Sequence, residues 1–482
     1  MVEIAVDQLA DATGARVVAR GAHGVCRGCV IDSREVSEGN VFVAFPGERV
    51  DGNAFAPKAI DAGAGCVVMT VEPASDLIER ARVAGCALMV TDDPTEFLLR
   101  FAAWYRERLG ALVVGITGSI GKTTTKDVMA SLLSRSWRVH ATKGNYNNLI
   151  GLPLTVLSAP ADTQVMVLEM GMNHFHEIDR LSACARPNLA VITKVGTSHI
   201  GILGSRENIA RAKSEIISGM APFELDGVEH APVLVLHGED DFTGFIEETF
   251  ARPSGVEVLR CGSSGADAVR AEGVELDECG YPHFTLTFER GDAMPAHVAV
   301  PGAQSVPNAL FAVAVAGRLG VGPQAVVDAL ASLTMTGRRV QVRHTASGAR
   351  IVDDSYNASA ESMAAGLDLV STLPCKGSRI AILGEMGEMG DEAPRMHALV
   401  GSYVAAKKFS MLICVGGDLA REMASAARLM GMDDGDIQVV ADTDRLIERF
   451  ADLLDSSDLA LVKGSRSVGL DRYVEEVCAD VR

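Results

Sequence analysis

Two glycines, a lysine and two threonines fall within seven consecutive positions, Gly118-Ser119-Ile120-Gly121-Lys122-Thr123-Thr124. Glycines let backbone N–H groups close on an anion, and the start of a helix favours negative charge there. A lysine in this place meets β- and γ-phosphates, and the hydroxyl beside it ligates Mg²⁺. The segment therefore predicts a nucleoside-triphosphate loop. Gly118, Gly121, Lys122, Thr123 and Thr124 form its nucleotide-binding set, with Thr123 the metal ligand. The usual pattern has a glycine where this chain has Ile116, so the loop is a shorter variant. Glu169 ends the apolar run Val165–Leu168, and ligands gather at that end of a parallel strand. A carboxylate there suits a metal. His199 and Lys213 are ambiguous on their own: a lone histidine reads more readily as structural, and a helical lysine as solvent-facing.

These residues need elements to hold them. Leu112–Ile116 reads as a buried strand feeding the loop, and Lys122–Ser134 as the helix after it. Further strands are expected at Val165–Leu168, Leu189–Thr193 and Val233–Leu236. Strands alternating with helices predict a parallel sheet covered on both faces. The alternation Phe284-Thr-Leu-Thr-Phe288 suggests a small antiparallel excursion within 255–300, and a helix over Val306–Leu319 closes the block. Before it, Val41–Phe45 and Cys66–Met69 read as strands, with a helix over Ala54–Ala62. Asp93-Pro94 is a helix start signal for Thr95–Leu109. After it, strands are expected at Arg350–Asp353, Arg379–Leu383, Met411–Val415, Ile437–Val440 and Ala460–Val462. Helices between them, at Ala360–Leu373, His397–Ala405, Leu419–Leu429 and Thr443–Leu454, make a second doubly wound unit. The fold class is α/β with three domains, at 1–93, 94–338 and 339–482.

The chain has 482 residues, enough for about three domains. Its formal net charge is −19, which argues against nucleic-acid binding, since duplex affinity rests on Lys and Arg. No apolar stretch is long enough to span a membrane, and the N-terminus lacks the features of a signal peptide. Ten scattered cysteines suit a reducing, cytoplasmic setting. Cys26 and Cys29 form the one C-x-x-C, without the second pair a zinc ribbon needs, and read as thiols near a turn. No N-K-x-D base-recognition motif follows the loop, against a GTPase. A small-molecule kinase would not need the extra α/β block, although a kinase or ATPase that stops at phosphoryl transfer remains an alternative.

Taken in order, these segments resemble the Mur ligase family over almost the whole chain. Gly115–Thr124 is similar to the family's phosphate loop and Lys143–Pro153 to the segment after it. Glu169–His174 and Ser198-His199 resemble the metal-binding segments, and Ala210–Ile216 the segment whose lysine the family carbamylates, here Lys213. Asn308 and Arg338 resemble the nucleotide-contacting asparagine and the arginine that leads into the third domain. Asp32-Ser33-Arg34 with Phe45–Gly52, Asp353–Ala358, Leu383–Glu392 and Lys463–Arg466 most resemble the branch that adds D-alanyl-D-alanine to UDP-N-acetylmuramoyl-tripeptide. A related ligase using another amine is the alternative within the family.

The resemblance implies an ATP-dependent amide ligase of peptidoglycan precursor synthesis, acting through an acyl phosphate. Lys122, Glu169, His199 and Lys213 would be catalytic. Thr123, Glu169, His199 and a carbamylated Lys213 would serve two Mg²⁺ ions. Asn308, Arg338 and Asp354 would join the nucleotide set. Ser33, Arg34, Asn145, Asn148, Tyr356, Asn357, Lys463 and Ser465 would contact the UDP-tripeptide and the dipeptide. A monomer is implied, with hinges near residues 93 and 338. Ile120, Gly201, Gln304-Ser305 and His237 depart from the family pattern.

Overall fold

Strands whose two faces are both covered read as unbroken apolar runs, and three such runs form the middle of the protein. In a computed structural model, described over residues 2–22, 24–47, 50–334 and 340–478, Leu112–Thr117 lies parallel between Val165–Glu169 and Leu189–Ile192. They are the centre of a nine-stranded sheet. Its order is Ala293–His297, Pro282–Thr287, Val269–Leu276, Glu257–Gly262, Val233–His237, Leu189–Ile192, Leu112–Thr117, Val165–Glu169, Val139–Ala141. The expected antiparallel excursion is present, but it is not a separate unit. Val269–Leu276 continues the parallel sheet through Cys261 and Val269, then turns into two antiparallel strands at the sheet's edge.

The helix Lys122–Leu133 packs on Ser305–Arg318 across the buried residues Val128, Met129, Leu132, Phe311 and Val315. Each such side chain contributes about 1.5–3 kcal/mol by leaving water. That packing fixes the helix whose first turn faces the phosphate loop.

The N-terminal sheet has five strands, in the order Arg16–Ala19, Ala87–Val90, Cys66–Met69, Val41–Val43, Cys29–Val30. All neighbours are parallel except the Arg16–Ala19 edge. The strand from Val41 ends at Val43, two residues short of expectation, and Gly52–Phe55 is a 3-10 turn before the helix Ala56–Asp61. The C-terminal sheet runs Gln341–His344, Arg350–Asp354, Leu459–Lys463, Arg379–Gly384, Met411–Val415, Ile437–Val440, with only the first strand antiparallel. Cys26 is buried and Cys29 partly so. All ten cysteines are free, and among the described residues no group of three His, Cys, Asp or Glu is placed to hold a metal.

At residue 93, one of the expected hinges, the chain enters a helix directly. Asp93 caps the helix Pro94–Leu109 by accepting from the Thr95 and Glu96 amides at 2.8 and 3.1 Å. The helix buries Phe97, Leu98, Phe101 and Ala102. They belong to one apolar cluster that contains Val41 and Val68 of the first sheet together with Met166 and Leu168 of the second. The other expected hinge, at 338, lies outside the described residues.

Candidate active site

Ligands collect at the C-terminal ends of parallel strands, and the three central strands deliver their loops there side by side. After Thr117, the loop turns through Gly118 (φ +146°) and Gly121 (φ +87°) into the helix at Lys122. Neither glycine is replaceable without collision. A Cβ on Gly118 would stand 1.9 Å from Thr193 Oγ1, and one on Gly121 2.4 Å from Asn308 Oδ1. The Thr193 hydroxyl donates to the Ile120 carbonyl, and the Ser119 amide donates to the Lys194 carbonyl at 2.8 Å. Ile120, the departure inside the loop, thus serves through its backbone. Lys122 Nζ donates to the Gly118 carbonyl at 2.7 Å, folded back over the loop. Asn308 accepts from Thr125 Oγ1 at 3.2 Å and donates to the Gln304 carbonyl at 3.0 Å, so it sits under the loop's helical turn. Thr124 lies on that same turn.

The neighbouring strand ends in Glu169, which is 3% exposed. Its Oε2 accepts from Thr123 Oγ1 at 2.8 Å and its Oε1 from Asn147 Nδ2 at 2.8 Å. Its amide donates to Thr142 Oγ1 at 3.0 Å. Asn147 was not singled out from the sequence, although it stands between Asn145 and Asn148, which were. Asn148 instead caps the helix Gly151–Leu157, accepting from Gly151 N at 2.8 Å, and the Asn145 carbonyl accepts from Asn147 N at 2.7 Å. Lys213, on the helix Arg206–Ser214, is buried at 2% exposure. Burial, then the neighbouring Lys122 ammonium, push its pKa well below the ordinary lysine value.

The third strand leads to Gly196-Thr197-Ser198-His199, where the C-terminal domain arrives. Glu361 Oε1 accepts from the Thr197 amide at 2.7 Å, while Glu361 Oε2 and Thr197 Oγ1 are buried without a hydrogen-bond partner. His199 Nδ1 lies 2.9 Å from Glu388 Oε2. The ring nitrogen makes no well-aligned hydrogen bond to that oxygen, so the two groups are close without a linear hydrogen bond. His199, with Lys122 further off, holds the Glu388 carboxyl below its usual range. Gly201 faces Gly390 so closely that a Cβ on Gly201 would meet the Gly390 amide nitrogen at 2.4 Å. A side chain at this departure from the family pattern would not fit. Glu361 and Glu388 were not singled out in the sequence as site residues.

In the C-terminal domain, Asp354 is paired with the buried Lys463 ammonium, which also donates to the Asn357 carbonyl at 2.8 Å. The parallel register places Asp354 opposite Lys463. Arg466 stacks over the Tyr356 ring at 5.4 Å, and Ser465 contacts Ser467 Oγ at 3.0 Å. In the N-terminal domain, Ser33 is buried and Arg34 grips Asp32 at 2.9 Å through Nε. Arg338 lies outside the described residues.

A glycine-lined anion loop, a buried lysine, and a helix-borne hydroxyl against a carboxylate at the end of the adjacent parallel strand suit nucleotide-dependent phosphoryl transfer, and two further α/β domains face them. Comparison with known proteins gives that class a family. Residues 26–104 match the Mur ligase family catalytic domain, residues 116–316 the Mur ligase middle domain, and residues 338–466 the Mur ligase glutamate ligase domain. The UDP-N-acetylmuramoyl-tripeptide–D-alanyl-D-alanine ligase of Bacillus subtilis is 34% identical over 94% of this chain and 93% of its own. The ligase of the same name from Mycobacterium tuberculosis is 33% identical over 100% of this chain and 98% of its own. Among solved structures, MurF from Acinetobacter baumannii superposes with a TM-score of 0.85 at 28% identity, covering 98% of both chains. MurF from Thermotoga maritima in complex with ADP gives 0.79 at 25% identity, over 93% of this chain and 96% of the other. The chain belongs to the Mur ligase family and is an ATP-dependent ligase.

Proposed function

We propose that this ligase joins D-alanyl-D-alanine to the tripeptide carboxylate of UDP-N-acetylmuramoyl-tripeptide. The supporting observation is that full-length relatives carrying that activity in their names match all three domains at once. Amide formation is uphill in water, so the carboxylate is activated first. The γ-phosphoryl of ATP passes to a carboxylate oxygen, giving an acyl phosphate and ADP. The dipeptide amine attacks the acyl carbon, and the tetrahedral intermediate expels phosphate.

Phosphoryl transfer asks a protein chiefly for position and charge. Lys122, resting on Gly118, is placed to swing onto the phosphates. The loop amides and the first turn of the helix, braced by Asn308, hold the anion. Two Mg²⁺ ions would be held, one by the Thr123 hydroxyl and the other by the Glu169 carboxylate, the His199 imidazole and a carbamylated Lys213. Few protein ligands converge, which suits an ion that completes its shell with phosphates and water. When bound, Mg²⁺ neutralises the charge of two anions that must meet. Burial disfavours the charged form of Lys213; its neutral amine would add to CO₂ with loss of a proton, so that a carbamate anion forms beside the site.

The N-terminal domain, with Ser33 and Arg34, holds the UDP-sugar. The C-terminal domain, with Tyr356, Asn357, Lys463 and Ser465, brings the dipeptide, and it closes over the nucleotide through Arg338, Asp354 and Asn357. The enzyme works in the cytoplasm as a monomer. No helix among the described residues is long and apolar enough to cross a membrane.

The test is phosphate release with Mg²⁺, ATP and UDP-N-acetylmuramoyl-tripeptide, with and without D-alanyl-D-alanine. Dipeptide-dependent release with a pentapeptide product by mass is expected. Release that needs a different amine would refute the substrate assignment, and release without any amine would refute the proposed coupling to amide formation.

A further inference from the structure

His199 is bracketed by the C-terminal domain in a way the scheme above does not use. Glu388 approaches its Nδ1 to 2.9 Å from a loop 189 positions further along the chain. Both residues adopt left-handed backbone, φ +67° for His199 and φ +64° for Glu388, a conformation with a cost for side chains larger than glycine. The Glu388 side chain is 58% exposed, so packing does not hold it there. What brings the two together is the backbone contact of Gly201 with Gly390, and the Glu361 carboxylate on the Thr197 amide keeps the segment before His199 in place.

A metal-bound imidazole usually gives its other N–H to a carboxylate or carbonyl, which fixes the tautomer and the ring's direction. Resting on the metal reading of His199 above, we propose that Glu388 is a positioning residue for the metal site. In the closed arrangement it accepts from His199 Nδ1–H and turns Nε2 toward the ion. The present contact is close but not collinear, and a small ring rotation would straighten it. Because the carboxylate rides on the C-terminal domain, closure of that domain tightens the metal site, and a bound metal favours closure in return. The dipeptide domain thereby senses whether the phosphate site is loaded.

The experiment titrates Mn²⁺ into the full chain saturated with a non-hydrolysable ATP analogue, followed by electron paramagnetic resonance. Glu388→Ala, Glu388→Gln and His199→Ala are compared with wild type. His199→Ala is expected to abolish one of two Mn²⁺ sites, the one assigned to Glu169 and His199. Glu388→Ala should weaken that site about tenfold, and Glu388→Gln, whose amide oxygen still accepts, by about threefold. Analogue affinity and melting temperature should stay at wild-type values in both Glu388 variants. Unchanged Mn²⁺ affinity in Glu388→Ala, or a loss matched by equal losses of analogue affinity and thermal stability, would overturn the proposal while leaving His199 as a ligand. Wild-type Mn²⁺ binding in His199→Ala would overturn both readings.

Discussion

The central domain meets its two neighbours through seams of opposite chemistry. Toward the N-terminal domain, the helix Pro94–Leu109 threads Phe97, Leu98 and Phe101 into a cluster that holds Val68 on one side and Leu168 on the other. Toward the C-terminal domain, among the described residues, no apolar cluster crosses. The contacts are carboxylates on backbone and imidazole, and three glycines that let surfaces touch: Gly196 at Glu361, Gly201 at Gly390 and Gly280 at Leu373. An apolar seam holds two domains as one body, while a polar, glycine-lined seam can part into water with few lost contacts. By that contrast the C-terminal domain, to which the proposed function gives the second substrate, is the more weakly held of the three, and the other two form the stiffer platform.

The comparison is broken outright if the seams rather than the loop between them carry the chemistry. Lys122→Ala is expected to lower kcat at least about a thousandfold, or about 4 kcal/mol, with little change in melting temperature. A phosphate-release rate above about a tenth of wild type would sink the role given to Lys122. At the apolar seam, Phe101→Ala should cost about 3–5 kcal/mol in urea unfolding, because a fully buried ring is removed. The folded fraction should turn over normally, and a loss below about 1 kcal/mol would mean that this seam is not a core. At the polar seam the signature reverses. Gly201→Ala should leave unfolding within about 0.5 kcal/mol, as expected away from a packed core, yet lower kcat about tenfold. Small-angle scattering should show a more extended chain, and wild-type turnover would show that closure does not need the Gly201–Gly390 approach. The mildest change, Glu361→Gln, keeps an acceptor for the Thr197 amide and should lower kcat only about twofold, whereas Glu361→Ala should lower it about fivefold. Identical rates for the two would remove Glu361 from the closing mechanism.

The rigid half of this picture was largely legible in the sequence. The strand–loop–helix around Gly118 to Thr124 announces itself through residue types that a phosphate needs, and Glu169 through its place at the end of an apolar run. The helix start at Asp93-Pro94 was legible too, but not that its apolar face would be shared by two sheets. That sharing depends on where Met166 and Leu168 fall in space. The C-terminal seam was least legible. Glu361 is an ordinary acid in sequence and Glu388 one of several in the segment Leu383–Glu392; their place in the seam comes from a distant glycine pair that brings their loops to residues 196–199. The partnership of Asp354 with Lys463 arises from strand register across more than a hundred residues, which local spacing does not reveal. Lys213 could have been suspected, since it lies one turn after Ile209, a position on the helix's buried face.

The two seams also respond to heat differently. Heat-capacity change follows the apolar surface exposed when contacts part. Parting the seam of Phe97, Leu98 and Phe101 would expose a large apolar area and make its free energy strongly curved in temperature. Parting the seam of Glu361, Glu388, Gly201 and Gly390 exposes mostly charge and backbone. An open–closed balance at this seam would therefore follow a nearly straight van 't Hoff line, with one nearly constant enthalpy over the temperatures in which the platform stays folded.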